Sequence, residues 1–173
     1  CVVGEICTID IPYKNKKIFA EVIGLREKIV KLMPYDSLEG IEVGLEVVAT
    51  GRLLEVPVGE NLLGRVIDSM GRPCDDKGDL YTSSFYPAIA QAPNALTRKS
   101  LNKRITTGVK AIDSFITVAQ GQRLGIFAGS GVGKSTLMGM ISRYTDADMN
   151  VIALIGERGR EALDVLKKDL GPE

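Results

Sequence analysis

The stretch from Arg123 to Tyr144 constrains this chain more than any other. Arg123 to Ala128, in the run Arg-Leu-Gly-Ile-Phe-Ala, reads as a buried strand. Gly129 to Gly133 supplies a Gly-rich turn, and Lys134 to Tyr144 reads as a helix. Leu137, Met140, Ile141 and Tyr144 fall at i, i+3, i+4 and i+7 there, which makes one apolar face. Val151 to Ile155 is a second apolar run, bounded by Asn150 and Gly156. A last helix is predicted from about Arg160 to Leu170, with an i,i+4 pair at Asp164 and Lys168 and a stop at Gly171-Pro172. Strand, helix, strand, helix is the order of a parallel sheet, so the predicted class is α/β.

The turn carries the chemistry. Ala128-Gly129-Ser130-Gly131-Val132-Gly133-Lys134-Ser135-Thr136 follows the phosphate-loop pattern, with Ala128 where the strict pattern has Gly. That departure is mild, because the first small residue only closes the turn. Glycines at 129, 131 and 133 permit positive φ and let the backbone approach a ligand. Successive N–H groups then point inward as an anion nest, and the helix behind adds the positive end of its dipole. Lys134 would reach the terminal phosphates of a nucleotide, Ser135 would ligate Mg²⁺, and Thr136 would donate to the α-phosphate. The predicted strand before the loop and helix after it are the context the motif requires. The motif implies a bound triphosphate and Mg²⁺.

Composition narrows the catalytic options. The chain holds no His, which excludes a Ser-His-Asp triad, a Cys-His nucleophile and a His-ligated zinc. Lys plus Arg equals Asp plus Glu at 22 each, so the basic excess of a generic polyanion binder is missing, and no nucleic acid is expected. The cysteines, Cys1, Cys7 and Cys74, are odd in number and show no C-x-x-C spacing, which suits a reduced compartment. No stretch approaches the ~20 apolar residues of a membrane span. The chain opens at Cys1 on a strand-like run and reads as a fragment; no polar tether follows of the kind a lipid-anchored Cys1 would need.

Upstream of the loop the pattern is different. Glu5 to Pro12, Lys17 to Leu25, Lys28 to Pro34 and Leu45 to Thr50 read as short strands with turns at Lys14-Asn15-Lys16, Arg26-Glu27 and Gly40 to Gly44, which suggests a small β-barrel or sandwich. Gly51 to Leu80 is rich in turn residues, with one ordered element expected at Leu62 to Met70. Phe85 to Leu96, interrupted by Pro87 and Pro93, reads as an extended connector. The expected division is a partial barrel at 1–51, a connector at 52–97 and a nucleotide domain from 98 to 173.

Glu157 follows directly on the second apolar run, within Gly156-Glu157-Arg158-Gly159-Arg160-Glu161. In open α/β sheets ligands sit off the carboxyl ends of the strands, where the phosphate loop also lies. Position alone leaves two readings open. Glu157 either orients a water against a γ-phosphate, or belongs to a solvated charge cluster that starts a helix. Arg158 or Arg160 would contact phosphate or a neighbouring subunit.

The run Arg123-Leu-Gly-Ile-Phe-Ala-Gly-Ser-Gly-Val-Gly-Lys-Ser-Thr-Leu-Met-Gly-Met, with Val151-Ile-Ala-Leu-Ile-Gly-Glu-Arg-Gly-Arg-Glu, resembles the export ATPases of the flagellum and of type III secretion. These are similar to the catalytic subunits of rotary F-type and V-type ATPases. Val56-Pro57-Val58-Gly59, Leu62 to Asp68, Gly71-Arg72-Pro73 and Thr107 to Asp113 agree with the same family. The resemblance implies an N-terminal β-barrel and a RecA-like P-loop NTPase domain with a parallel sheet, incomplete here. It also implies a homohexamer with ATP between subunits. It implies a catalytic Glu157, Arg158 near the γ-phosphate and Glu161 outside the direct ligands of the metal. The implied partners are export-apparatus proteins and their exported substrates, at the cytoplasmic face of the inner membrane, with membrane association only through partners. The family's Walker-B Asp, arginine finger and adenine-packing domain have no counterpart in these residues, so the fragment alone is expected to bind nucleotide weakly and hydrolyse it barely; an arginine finger is worth about 10³–10⁵ in rate.

Two alternatives stand beside that reading. A non-catalytic subunit of a rotary ATPase would carry Gln at 157, so a rotary reading means a catalytic subunit. An RNA-translocating hexamer needs a barrel with stacking aromatics, and residues 1–50 offer only Tyr13, Phe19 and Tyr35. Asp75-Asp76-Lys77-Gly78-Asp79 lacks the closing Glu of a calcium loop and reads as a solvated turn. Arg98, Lys99, Lys103 and Arg104 read as a solvated connector, and Lys14, Lys16 and Lys17 as a protected hairpin edge.

Overall fold

Alternation in Glu-Ile-Cys-Thr-Ile-Asp-Ile gives a strand with one buried face. In the computed structural model, which describes residues 1–129 and 131–156, this is β1, Glu5–Ile11. Pro12 opens a short 3-10 turn over Pro12–Lys14, and Asn15 closes it in the left-handed region. The chain returns as β2, Lys16–Arg26, and again as β3, Ile29–Pro34. Then β4, Val47–Leu53, pairs on the other side of β1, so the sheet order is β3-β2-β1-β4, all antiparallel. Ile9 faces Ile18 across the ladder, and Ile9, Ile11, Ile18 and Ala20 form the core with Leu32 and Leu45 packed on it. Burying each large aliphatic side chain there contributes about 1.5–3 kcal/mol. Glu5 is also buried, and its carboxylate accepts the Val2 and Gly51 amides at 2.8 Å each, which ties β1 to β4.

A two-stranded antiparallel ribbon follows, β5, Glu55–Val58, with β6, Ser84–Pro87. Between them residues 59–83 form a 3-10 turn at Glu60–Leu62 and a long loop held by ions. The Arg65 guanidinium forks onto Asp75 at 2.7 and 3.0 Å, and the Val66 amide donates to the same carboxylate. Asp68 accepts from the Met70 and Arg72 amides and from the Arg72 guanidinium, which also reaches Asp36 at 3.1 Å. The chain divides into two compact units, Cys1–Ala92 and Pro93–Glu173.

In the second unit, α1 is Lys110–Phe115 and α2 is Lys134–Tyr144. Val109, Ile112 and Val118 form its core, with Ile105, Leu137 and Ile141 packed against it.

Several expectations need correction. Arg123 to Ala128 and Val151 to Ile155 form no ladder; Phe127 is 97% exposed and Val151 90%, while Ile126, Ile152 and Leu154 are half-buried. A strand exists only by pairing, and every ladder between named strands among the described residues is antiparallel and lies in the first unit. The apolar face of α2 is only half used: Leu137 and Ile141 pack, while Met140 and Tyr144 are exposed. Leu62 to Met70 holds no helix or strand beyond the end of the 3-10 turn; its order comes from an isolated bridge between Ile67 and Pro73 and from the carboxylates of Asp68 and Asp75. Phe85 to Pro87 is strand rather than connector. Asp75 is not solvated: its side chain is 5% exposed beneath Arg65. The lysines at 14, 16 and 17 flank the β1–β2 turn, whereas the edges of the sheet are β3 and β4. The predicted helix over 160–170 lies outside the described residues.

Candidate functional site

The phosphate loop runs into α2 as the motif requires. Gly131 has φ 76° and Gly133 has φ 98°, a left-handed backbone that L side chains rarely adopt. A Cβ at either position would meet nothing within 4 Å, so the backbone there faces open space. Gly133 is the N-cap of α2, and no side chain caps that end. The Leu137 amide closes the first helical turn onto the Gly133 carbonyl at 2.9 Å. A helix start of this kind, uncapped and preceded by glycines, offers backbone donors and the positive end of the dipole to an anion. Val132, Lys134 and Thr136 are exposed, and Ser135 is half-buried.

The structure therefore brings together Gly129, Gly131, Val132, Gly133, Lys134, Ser135 and Thr136 at one helix end. Ser130, Glu157, Arg158 and Glu161 lie outside the described residues. Among the described residues no cluster of three or more His, Cys, Asp or Glu could hold a metal. Ser135 and Thr136 are the described hydroxyls in the first turn of α2. A cavity of about 550 Å³ lies in the first unit, lined by Pro57, Met70, Tyr81 and Phe85 among others, and none of the loop residues borders it.

One constellation near the far end of α2 was not singled out as a site in the sequence. The Asp113 carboxylate, in the first turn of α1, accepts the Thr107 amide and hydroxyl at 2.9 Å each and the Gly108 amide at 2.9 Å. The Thr107 amide foremost, then the Thr107 hydroxyl and the Gly108 amide, hold this carboxyl below its ordinary range against the opposing effect of burial. The signal was present: the N-cap of α1 is Val109, whose side chain cannot cap, and Asp113 reaches back to the amides just ahead of the helix in the manner of a capping box.

The β-barrel domain of the ATP synthase alpha/beta family matches residues 1–51, and that family's nucleotide-binding domain matches residues 108–173. The chain is 52% identical to the flagellum-specific ATP synthase of Treponema pallidum over 99% of its own length. It is 44% identical to the type 3 secretion system ATPase of Sinorhizobium fredii, again over 99%. It spans 38% of the length of each of these relatives. Among solved structures, the assembled ATPase EscN of the enteropathogenic E. coli type III secretion system superposes with a TM-score of 0.84 at 40% identity, covering 96% of this chain and 40% of that one.

Proposed function

The chain belongs to the ATP synthase alpha/beta family, and on that premise we propose that it forms the phosphate-binding part of an ATPase that energises protein export through a flagellar or type III secretion apparatus. The observation that carries this is the uncapped start of α2 behind Gly131 and Gly133, both left-handed and facing open space. Backbone amides there bind the phosphates of ATP, Lys134 neutralises the terminal ones, and Thr136 donates to the α-phosphate. Ser135, with Glu161 acting through water, would hold a Mg²⁺ beside the bound phosphates. The ion would supply neutralisation of the charge that develops on the transferred phosphoryl group.

Glu157 orients and polarises the attacking water, and Arg158 contacts the γ-phosphate. With no His in the chain, a carboxylate is the suitable base. The whole protein works as a homohexameric ring at the cytoplasmic face of the membrane, in contact with export-apparatus proteins and their cargo. The name of the solved relative, an assembled ATPase, supports the ring. Among the described residues no helix is long and apolar enough to cross a membrane, which fits attachment through partners.

The test is calorimetry of Mg-ATP binding to the full-length protein with Lys134→Ala and Glu157→Gln. Lys134→Ala removes binding, and Glu157→Gln keeps binding while hydrolysis falls by about 10²–10⁴-fold. Unchanged binding in Lys134→Ala refutes the loop assignment, and unchanged hydrolysis in Glu157→Gln refutes the base.

A further inference from the structure

We propose that Asp113 is a positioning residue for the phosphate loop, acting through the Thr107-Gly108 turn on the far end of α2; the inference rests on the loop's role in nucleotide binding. Gly108 has φ 76°, and a Cβ on it would lie 2.2 Å from the Tyr144 Cβ and 2.4 Å from the Tyr144 carbonyl oxygen. The last residue of α2 thus lies directly on the Gly108 backbone. Thr106 holds the residues just beyond. Its amide donates to Asp146 at 2.9 Å, and its carbonyl accepts the Asp146 amide at 3.1 Å and the Thr145 hydroxyl at 3.0 Å. One turn further, Val109 and Ile112 form the small core on which Leu137 and Ile141 of α2 pack.

Residues 106–112 thus seat the far end of α2, together with the Asn150 side chain, which donates to the Ser142 carbonyl at 2.8 Å. That segment is itself closed by one carboxylate. Asp113 satisfies the Thr107 amide, the buried Thr107 hydroxyl and the Gly108 amide together, and no other residue type of that length accepts three such donors. A helix of 11 residues is about 16 Å long and stiff, so a tilt at Tyr144 is carried to Lys134 and the amides of its first turn. Displacements near 1 Å at a binding group can cost as much as ~10²-fold in rate.

Asp113→Asn keeps the volume and one accepting oxygen but turns an amide donor toward the Thr107 or Gly108 N–H. The experiment measures binding of tripolyphosphate and of Mg-ATP to the full-length protein carrying Asp113→Asn, Thr107→Val or Thr107→Ser. Lys134→Ala is run in parallel, and folding is checked by urea melting. The expected result is a loss of roughly tenfold in affinity for both probes in Asp113→Asn. A similar loss is expected in Thr107→Val, with recovery in Thr107→Ser, which restores the hydroxyl. A purely structural role would lower the urea midpoint and leave affinity under native conditions unchanged, and that outcome overturns the inference. So does a Thr107→Val protein that binds both probes as the unaltered protein does. If Lys134→Ala itself leaves binding intact, it is the nucleotide reading that fails.

Discussion

Tyr35 donates its hydroxyl to Glu21 from a partly buried position at the end of the β2–β3 hairpin. Burial first, then the hydrogen bond and the negative charge of Glu21, push its ionisation up from 10.0 to about 12. A raised acid favours the protonated, folded form. The stabilisation is complete below pH 10.0 and is lost as pH rises through about 12. Following tyrosinate absorbance during an alkaline titration checks this: one tyrosine ionises near pH 12, and Tyr35→Phe removes that step. An alkaline curve that is identical in Tyr35→Phe contradicts the assignment. At the other end of the scale, Arg65 and the amides of Val66 and Lys77 hold the Asp75 carboxyl well below its ordinary 3.8. Its contribution is present above that value and disappears as pH falls through the acid range. Thermal melting of Asp75→Asn should therefore show a lower midpoint at neutral pH and a flatter decline on acidification than the unaltered chain.

At the scale of elements, the first sheet depends on a few fully buried aliphatics at its centre. Ile18, opposite Ile9 on the interior strand β2, is completely inaccessible. Ile18→Ala removes buried methylenes and leaves a cavity, at a cost of about 2–5 kcal/mol, measurable by urea denaturation. Such elements were legible because their signals are local. The alternation in β1 fixes its buried face, and Asn15 and Pro12 fix the turn. In α2 the glycines and the apolar spacing mark the element, and the predicted Lys134 to Tyr144 is what the structure has. The phosphate loop was legible for the same reason, since its function needs only contiguous residues. What sequence could not give is pairing at a distance. Arg123 to Ala128 and Val151 to Ile155 have the composition of buried strands, but composition does not supply a neighbour. Asp75 looked like one acid among several in a turn, and only Arg65, ten residues away, makes it a buried anchor. The Asp113 knot was missed because its partners lie on the irregular segment ahead of α1 rather than within an element.

Across the whole molecule, burial is uneven. Of the ten buried hydrophobic residues among the described ones, seven (Ile6, Cys7, Ile9, Ile11, Ile18, Ala20, Val22) belong to the first unit and three (Val109, Ile112, Val118) to the second. Stability follows buried apolar area, so among the described residues the first unit holds the larger share. The second unit instead presents Phe115, Phe127, Val151 and Ile155, each about nine-tenths or more exposed. Apolar side chains exposed in runs bind hydrophobic dyes and promote association, unlike single apolar residues scattered on a surface. In the 173-residue chain these runs are therefore sticky while the sheet of β1–β4 is firm. Replacing Phe127, Val151 and Ile155 together with Glu should cut the fluorescence of a bound apolar dye severalfold. The unfolding free energy of the first unit, measured by urea denaturation, should change by less than about 0.5 kcal/mol, because these positions contribute nothing to its core. Dye fluorescence that persists in the triple variant would place the accessible apolar surface elsewhere, with the exposed side of β2 and β3, at Ile23, Leu25 and Ile29, as the next stretch to alter.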